Sequence, residues 1–198
     1  YLDKYQQVSQ KFPMLTPYLV TLTVKNGPDL SERMQHLRAS MRKMTQQRRD
    51  ALKGQLSIEF AKSAGGFHSI EVTNEGNGWH PHVHMIWLCD SEPDKYQLSR
   101  EWKAITGDSI IVHVAKLHDP VEGFLEVCKY ALKFGDLSLA DNYHAFEVMS
   151  KMRLIDSHGV LRGVKIPDNL LDEILQSEPY MELFYRYIRG SYRMIQPE

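Results

Sequence analysis

Three of the chain's nine histidines, His80, His82 and His84, fall within five residues in the stretch WHPHVHMIW (Trp79–Trp87). Alternating positions of an extended strand share one face. The three imidazoles therefore stand together, while Pro81, Val83 and Met85 face the other way and anchor the strand in a core. Same-face neighbours lie about 6.6–7 Å apart along a strand, so rings leaning inward can reach a common ion. The third ligand comes from the preceding segment FHSIEVT (Phe67–Thr73), which also alternates and is joined to the histidine strand by the turn cluster NEGNG. A turn centred on Gly76-Asn77 sets Glu71 opposite His82. A turn centred on Asn77-Gly78 sets it opposite His84. Either register brings the carboxylate within one side-chain length of both rings. Two histidines and one carboxylate leave coordination positions open, as a catalytic site requires. The donor set suits Mn²⁺, Zn²⁺ or a similar ion, or Mg²⁺ where a substrate phosphate supplies oxygens. The competing reading is a histidine-rich exposed strand without metal. His80, nearer the turn, is left outside the ligand set as a further ring ligand, a DNA contact or a hydrated side chain.

A second cluster lies on the amphipathic segment EGFLEVCKYALKF (Glu122–Phe134). Phe124, Leu125, Val127, Cys128, Ala131, Leu132 and Phe134 cover its apolar side, and Tyr130 falls at the edge of the polar one. Glu126 precedes Tyr130 by four residues and Lys133 follows by three, so all three are neighbours on a helix surface. A lysine beside a phenol favours the phenolate or holds a phosphate, and a glutamate can deprotonate water or a hydroxyl. An ordinary boundary tyrosine beside a solvated Glu/Lys ladder has the same spacing.

Elements that position these residues follow from local pattern. YLVTLTV (Tyr18–Val24) is rich in β-branched residues and reads as a buried strand. A long helix starts near Asp29, supported by Met34, Leu37, Met41, Met44 and Leu52, with a second helical piece to about Ala64 that AGG then breaks. After the hairpin come a helix at about Asp94–Thr106, a strand at Ser109–Leu117, a helix from Pro120 to about Phe134 and another at Leu139–Met152. LIDSHGVLRGVKI suggests a second hairpin. Strands separated by helices with one clear hairpin predict an α+β fold, a mainly antiparallel central sheet with packed helices.

The chain has 198 residues, 42% hydrophobic and 25% charged, which suits one domain over 1–198 whose core needs no disulfide. Its two cysteines have no metal-type spacing, and no stretch approaches a membrane span, so a cytoplasmic protein without a membrane partner is expected. It opens at Tyr1 without methionine and reads as a fragment of a longer protein. A net charge of −1 argues against a general nucleic-acid coat protein. The charge is uneven, however. Ser31–Lys53 carries seven basic residues, among them Arg38, Arg42 and Arg49, against Glu32 and Asp50. Near the end, Tyr185, Arg186, Tyr187, Arg189, Tyr192 and Arg193 interleave rings with guanidinium groups. Such patches track phosphates and stack bases, or are simply solvated faces.

Taken together, the motifs resemble the HUH endonucleases, and most closely the rolling-circle replication initiators of small bacterial plasmids. The similarity runs through LVTLTVKN, GGFHSIEVTNEGNGWHPHVH and EVCKYALKF, a motif core of about 18–135. Residues 136–198, read as C-terminal helices and a possible hairpin, match little. The resemblance implies an RRM-like palm with His82, His84 and Glu71 as metal ligands, Tyr130 as nucleophile and Lys133 as its companion. Glu126 matches the acid that replaces a second tyrosine in one branch of those initiators. It further implies a metal-dependent nickase and strand transferase with a 5′-phosphotyrosine intermediate. The partner would be single-stranded or hairpin DNA at a replication origin in a bacterial cytoplasm, with a host helicase as a further partner. His80, Trp79 as a stacking ring, Arg38, Arg42 and Arg49 are the expected DNA contacts. A transposase with the same core and a non-catalytic nucleic-acid-binding domain are the competing readings.

Overall fold

The computed structural model describes residues 2–130, 137–164, 184–188 and 191–195, and divides the chain into two compact units, Tyr1–Val164 and Lys165–Glu198. In the second unit, among the described residues, β6 (Phe184–Ile188) and β7 (Ser191–Ile195) form a two-stranded sheet. Arg186 stands opposite Arg193 and Tyr187 opposite Tyr192. Arg189 lies outside the described residues.

The first unit is α+β, as expected. Its elements are α1 (Leu2–Lys11), β1 (Thr16–Thr23), α2 (Leu30–Leu52), β2 (Ser63–Asn74), β3 (Trp79–Cys89), α3 (Lys95–Thr106), β4 (Val112–Lys116), α4 (Pro120–Tyr130), α5 (Leu139–Met149) and β5 (Ile155–Gly159). Five strands form an antiparallel sheet in the order β4-β1-β3-β2-β5. The path β1-α2-β2-β3-α3-β4 is a split βαβ arrangement. Among the described residues no helix is long and apolar enough to cross a membrane.

Alternation along the strands divides the core in two. One face carries Val20, Leu22, Ile70, Val83, Met85 and Trp87, covered by Leu30, Met34, Leu37 and Met44 of α2 and by Leu98 and Trp102 of α3. The other carries Phe67, Ile86 and Leu88, covered by Val8 of α1 and by Phe124 and Val127 of α4. Both helices of the first layer begin on an aspartate cap. Asp29 accepts from the Glu32 amide at 2.9 Å, and Asp94 accepts from the amides of Tyr96 and Gln97.

Three local expectations are corrected. The helical piece expected up to Ala64 is only a 3-10 turn at Glu59–Lys62, and Ala64-Gly65-Gly66 lies inside β2. The glycines admit close crossing rather than breaking an element: a Cβ on Gly65 would meet the Val160 amide nitrogen at 2.6 Å, and one on Gly66 the Ile86 carbonyl oxygen at 2.5 Å. Of the hairpin expected in LIDSHGVLRGVKI, the described residues up to Val164 form one strand, β5, which pairs with β2, so its partner is distant in sequence, and Lys165 and Ile166 lie outside the described residues. The strand expected at Ser109–Leu117 is confined to Val112–Lys116, with Ile110 and Ile111 exposed.

Candidate metal centre

Asn74 pairs with Trp79 across a four-residue loop in which Gly76 and Gly78 take φ of +84° and +87°, a backbone region open to glycine at little cost. The loop is centred on Gly76-Asn77, which fixes the register Glu71↔His82 and Ser69↔His84. Of the two registers compatible with the sequence, the first is the one found. Period-2 alternation then lifts Glu71, His82 and His84 onto the sheet face that carries Phe67 and Ile86, while Val83 and Met85 are buried on the opposite one.

The three side chains converge. His82 Nε2 lies 2.6 Å and His84 Nε2 3.0 Å from the same oxygen, Glu71 Oε2. One ligand atom from each residue falls within 4.8 Å of the others, a group able to hold a metal ion. All three are nearly withdrawn from water, at 8%, 9% and 8% exposure for Glu71, His82 and His84. Burial by itself would raise the Glu71 carboxyl. The hydrogen bonds from His82 and His84 and the charge of the two rings outweigh it and hold the group down at about 2. The carboxylate is therefore ionised at any physiological pH, the state a metal ligand needs.

Outer partners orient both rings. His82 Nδ1 donates to the His80 carbonyl at 3.2 Å, which leaves Nε2 as the metal-facing nitrogen. His84 Nδ1 shares a 3.2 Å hydrogen bond with the Thr21 hydroxyl, and Thr21 is its cross-strand partner on β1. Thr21 is thus a neighbour of the candidate site that the sequence alone shows only as part of a buried strand. Its polar spacing becomes informative only once β1 is known to lie beside β3. The donor chemistry, the depressed carboxyl and the fixed Nδ1 partners all fit a divalent cation at this place.

The other expected site residues are distributed as follows. His80 is half-buried, its ring 5.4 Å from that of His82, and burial together with the neighbouring His82 lowers its pKa. Trp79 is a correction. It is only 6% exposed, belongs to the core under α2 and packs its ring 5.6 Å from His144, so no base can stack on it. The strand turns its odd positions toward the core layer under α2, and Trp79 is odd like Val83 and Trp87.

Glu126 sits exposed on α4 and Tyr130 is the last residue of that helix, whereas Lys133 lies outside the described residues. Two contacts orient α4 on the sheet. The rings of Phe67 and Phe124 stack at 5.7 Å, and the Ser69 hydroxyl donates to the Val127 carbonyl at 2.6 Å. Advancing along β2 from Phe67 to Ser69 thus matches advancing along α4 from Phe124 to Val127. The next same-face residue of β2 is Glu71, and one turn beyond Val127 stands Tyr130.

Arg38, Arg42 and Arg49 are gathered by α2, but not beside the histidines. They line a cavity of about 670 Å³ shared with His68 and Ile70, which belong to the opposite face of β2 from Ser69 and Glu71. Other basic residues of the same run are structural. Arg33 is tied to Glu32 and Asp108, and Arg48 donates to the Ser63 carbonyl through Nε (3.0 Å) and a terminal nitrogen (2.6 Å). Burial raises the Cys89 thiol to about 12, which leaves it unreactive. Set against known proteins, the chain matches no family model, no curated sequence and no solved structure.

Proposed function

We propose that the chain is a metal-dependent endonuclease that nicks and rejoins single-stranded DNA through a tyrosyl-phosphate intermediate, and that it serves the initiation of rolling-circle replication. The observation that carries this reading is the convergence of His82 Nε2 and His84 Nε2 on Glu71 Oε2, on the sheet face where α4 docks. A divalent ion held by these three residues would supply positive charge to a phosphodiester.

The chain's own residues supply the rest. Tyr130 Oη, as phenolate, forms a bond to the phosphorus while the P–O3′ bond breaks. The phenolic proton passes to solvent, and the departing oxygen takes up a proton as a free 3′-OH able to prime synthesis. The DNA 5′-phosphate remains on the tyrosine. A later attack by a 3′-OH reverses the balance, joining the strand and restoring the phenol. Glu126, four residues before Tyr130, takes the proton from that hydroxyl or from water at release. One phosphodiester replaces another at each transfer, so the cycle needs no nucleotide cofactor. The strand must be unpaired at the nick, which favours a hairpin origin as substrate.

A pool of 3′-labelled random-sequence single strands and hairpins incubated with Mn²⁺ tests the reading. The expected result is an SDS-resistant labelled protein, lost with EDTA and in Tyr130→Phe. Manganese binding without any adduct would leave the metal site standing and overturn the nickase, in favour of a non-catalytic nucleic-acid-binding domain.

A further inference from the structure

The cavity beneath α2 is independent of the histidine site and has its own chemistry. Its α2 wall is one stripe of the helix, with Arg38, Met41, Arg42, Thr45, Gln46 and Arg49 recurring at intervals of three and four. The core stripe of the same helix runs through Leu30, Met34, Leu37 and Met44. Lys43 and Arg153 add to the rim, giving five cationic side chains against a single carboxylate, Asp156. That carboxylate is already engaged, accepting from the Ser157 amide at 2.8 Å and pairing with Arg153 at 3.3 Å. Among the described residues no carboxylate lies within ion-pair distance of Arg38, Arg42, Lys43 or Arg49. In a protein of net charge −1, such a concentration of uncompensated cations around one concavity is a local anion trap.

The floor differs from the rim. Met41 and Ile70 are apolar, and His68 lies beside them. Burial, the largest influence, keeps the His68 ring neutral. A bare phosphate would use the rim and waste the floor. A duplex backbone, convex and regular, would use neither well. A volume of about 670 Å³ is within the range of small-molecule sites.

We propose that this cavity is a nucleotide-binding site: guanidinium groups of Arg38, Arg42 and Arg49 hold the phosphates, and Met41, Ile70 and His68 receive the base. The nucleotide comes either free in solution or as part of a single strand crossing α2, and the two sources share the same recognition. Because the site lies on the sheet face opposite Glu71, His82 and His84, it requires neither the metal nor Tyr130, and it stands or falls separately from the nicking reaction. Direct fork contacts from arginine to phosphate are charge-assisted and give the binding a steep dependence on salt.

The test uses the whole chain in EDTA with a fluorescent nucleoside triphosphate and a fluorescent single-stranded ten-nucleotide oligomer as separate probes, read by polarisation. Saturable binding of at least one probe is expected, weakened at least tenfold in the exposed-residue variant Arg42→Ala/Arg49→Ala. Competition by the unlabelled mononucleotide marks free nucleotide as the source. Binding of the oligomer alone marks a strand. Inorganic pyrophosphate competing as well as the nucleotide would overturn the role of the floor and with it the proposal. So would binding that survives Arg42→Ala/Arg49→Ala, or the failure of both probes to bind.

Discussion

The Ser69 hydroxyl donates to the Val127 main-chain carbonyl at 2.6 Å, and Ser69 is also the cross-strand partner of His84. One small polar side chain thus fastens helix α4 to the strand that carries the glutamate ligand. It does so directly opposite His84 and one same-face pair from Glu71 and His82, in a position fully withdrawn from water.

Loss of this tether has a separable signature. Ser69→Ala removes a buried hydrogen bond to the Val127 carbonyl, a loss of about 1 kcal/mol. Urea unfolding should show that loss while Mn²⁺ affinity stays within a factor of about three, since no ligand is touched. In the proposed reaction the same variant should form less tyrosyl adduct at saturating metal. A variant with lost stability and full adduct yield would show that α4 needs no such fastening for the chemistry.

Metal binding should stabilise the first unit through the triad. At a concentration 100 times the dissociation constant, a ligand bound only by the folded state adds about 2.7 kcal/mol. Thermal unfolding with and without Mn²⁺ should show a shift that EDTA reverses and that Glu71→Gln and His84→Ala each abolish. A shift that persists in both variants would place the ion elsewhere.

Thr21 is expected to act through His84 rather than on the metal. Thr21→Val keeps the shape of the side chain and removes the hydroxyl 3.2 Å from Nδ1. Comparable outer partners are worth roughly 10- to 100-fold in metal affinity. Titration calorimetry should find Thr21→Val weakened by about that factor, with Thr21→Ser close to the parent. Equal loss in both variants would point to a packing defect.

Acid sensitivity should start well above the carboxylate range. Burial, aided by the charge of Arg48, holds His158 down at about 3, with its Nε2 on the Ser63 hydroxyl. Its folded value is below the unfolded one of about 6.5, so between those limits the unfolded chain binds the extra proton. The stability from keeping this ring neutral is complete above about pH 6.5 and is lost as pH falls toward 3, at up to about 1.4 kcal/mol per pH unit. Glu71, held at about 2, adds a second loss below the ordinary glutamate value near 4.3. Urea midpoints from pH 7.5 to 4.5 should decline in the parent and decline less in His158→Gln. Parallel slopes would remove His158 as the cause.

Local pattern carried much of this protein. Spacing by two in HPHVH, with Val83 between the rings, determines that His82 and His84 share a face. The NEGNG cluster between alternating segments determines a hairpin. Asp29 and Asp94 mark the helix starts that the caps confirm, and the α+β class follows from the alternation of elements. Even the glutamate was within reach, because strand partners in a hairpin are set by a short loop. The sequence left two registers, and the backbone of Gly76 and Gly78 selects one.

Long-range pairing decided the rest. Thr21 meets His84 only because β1 lies beside β3, 63 residues away in sequence. Ser69 reaches Val127 across 58 residues, and β5 joins the edge of β2 instead of folding on itself. Trp79 and the basic stripe of α2 show the same limit. Periodicity told which residues go together on a face, but not which face looks toward the metal and which toward the helices. That choice depends on how two apolar faces of one sheet are each covered, a property of the packed whole that no local window contains. The arginines therefore came out together, as the spacing demanded, yet on the far side of the sheet from the histidines.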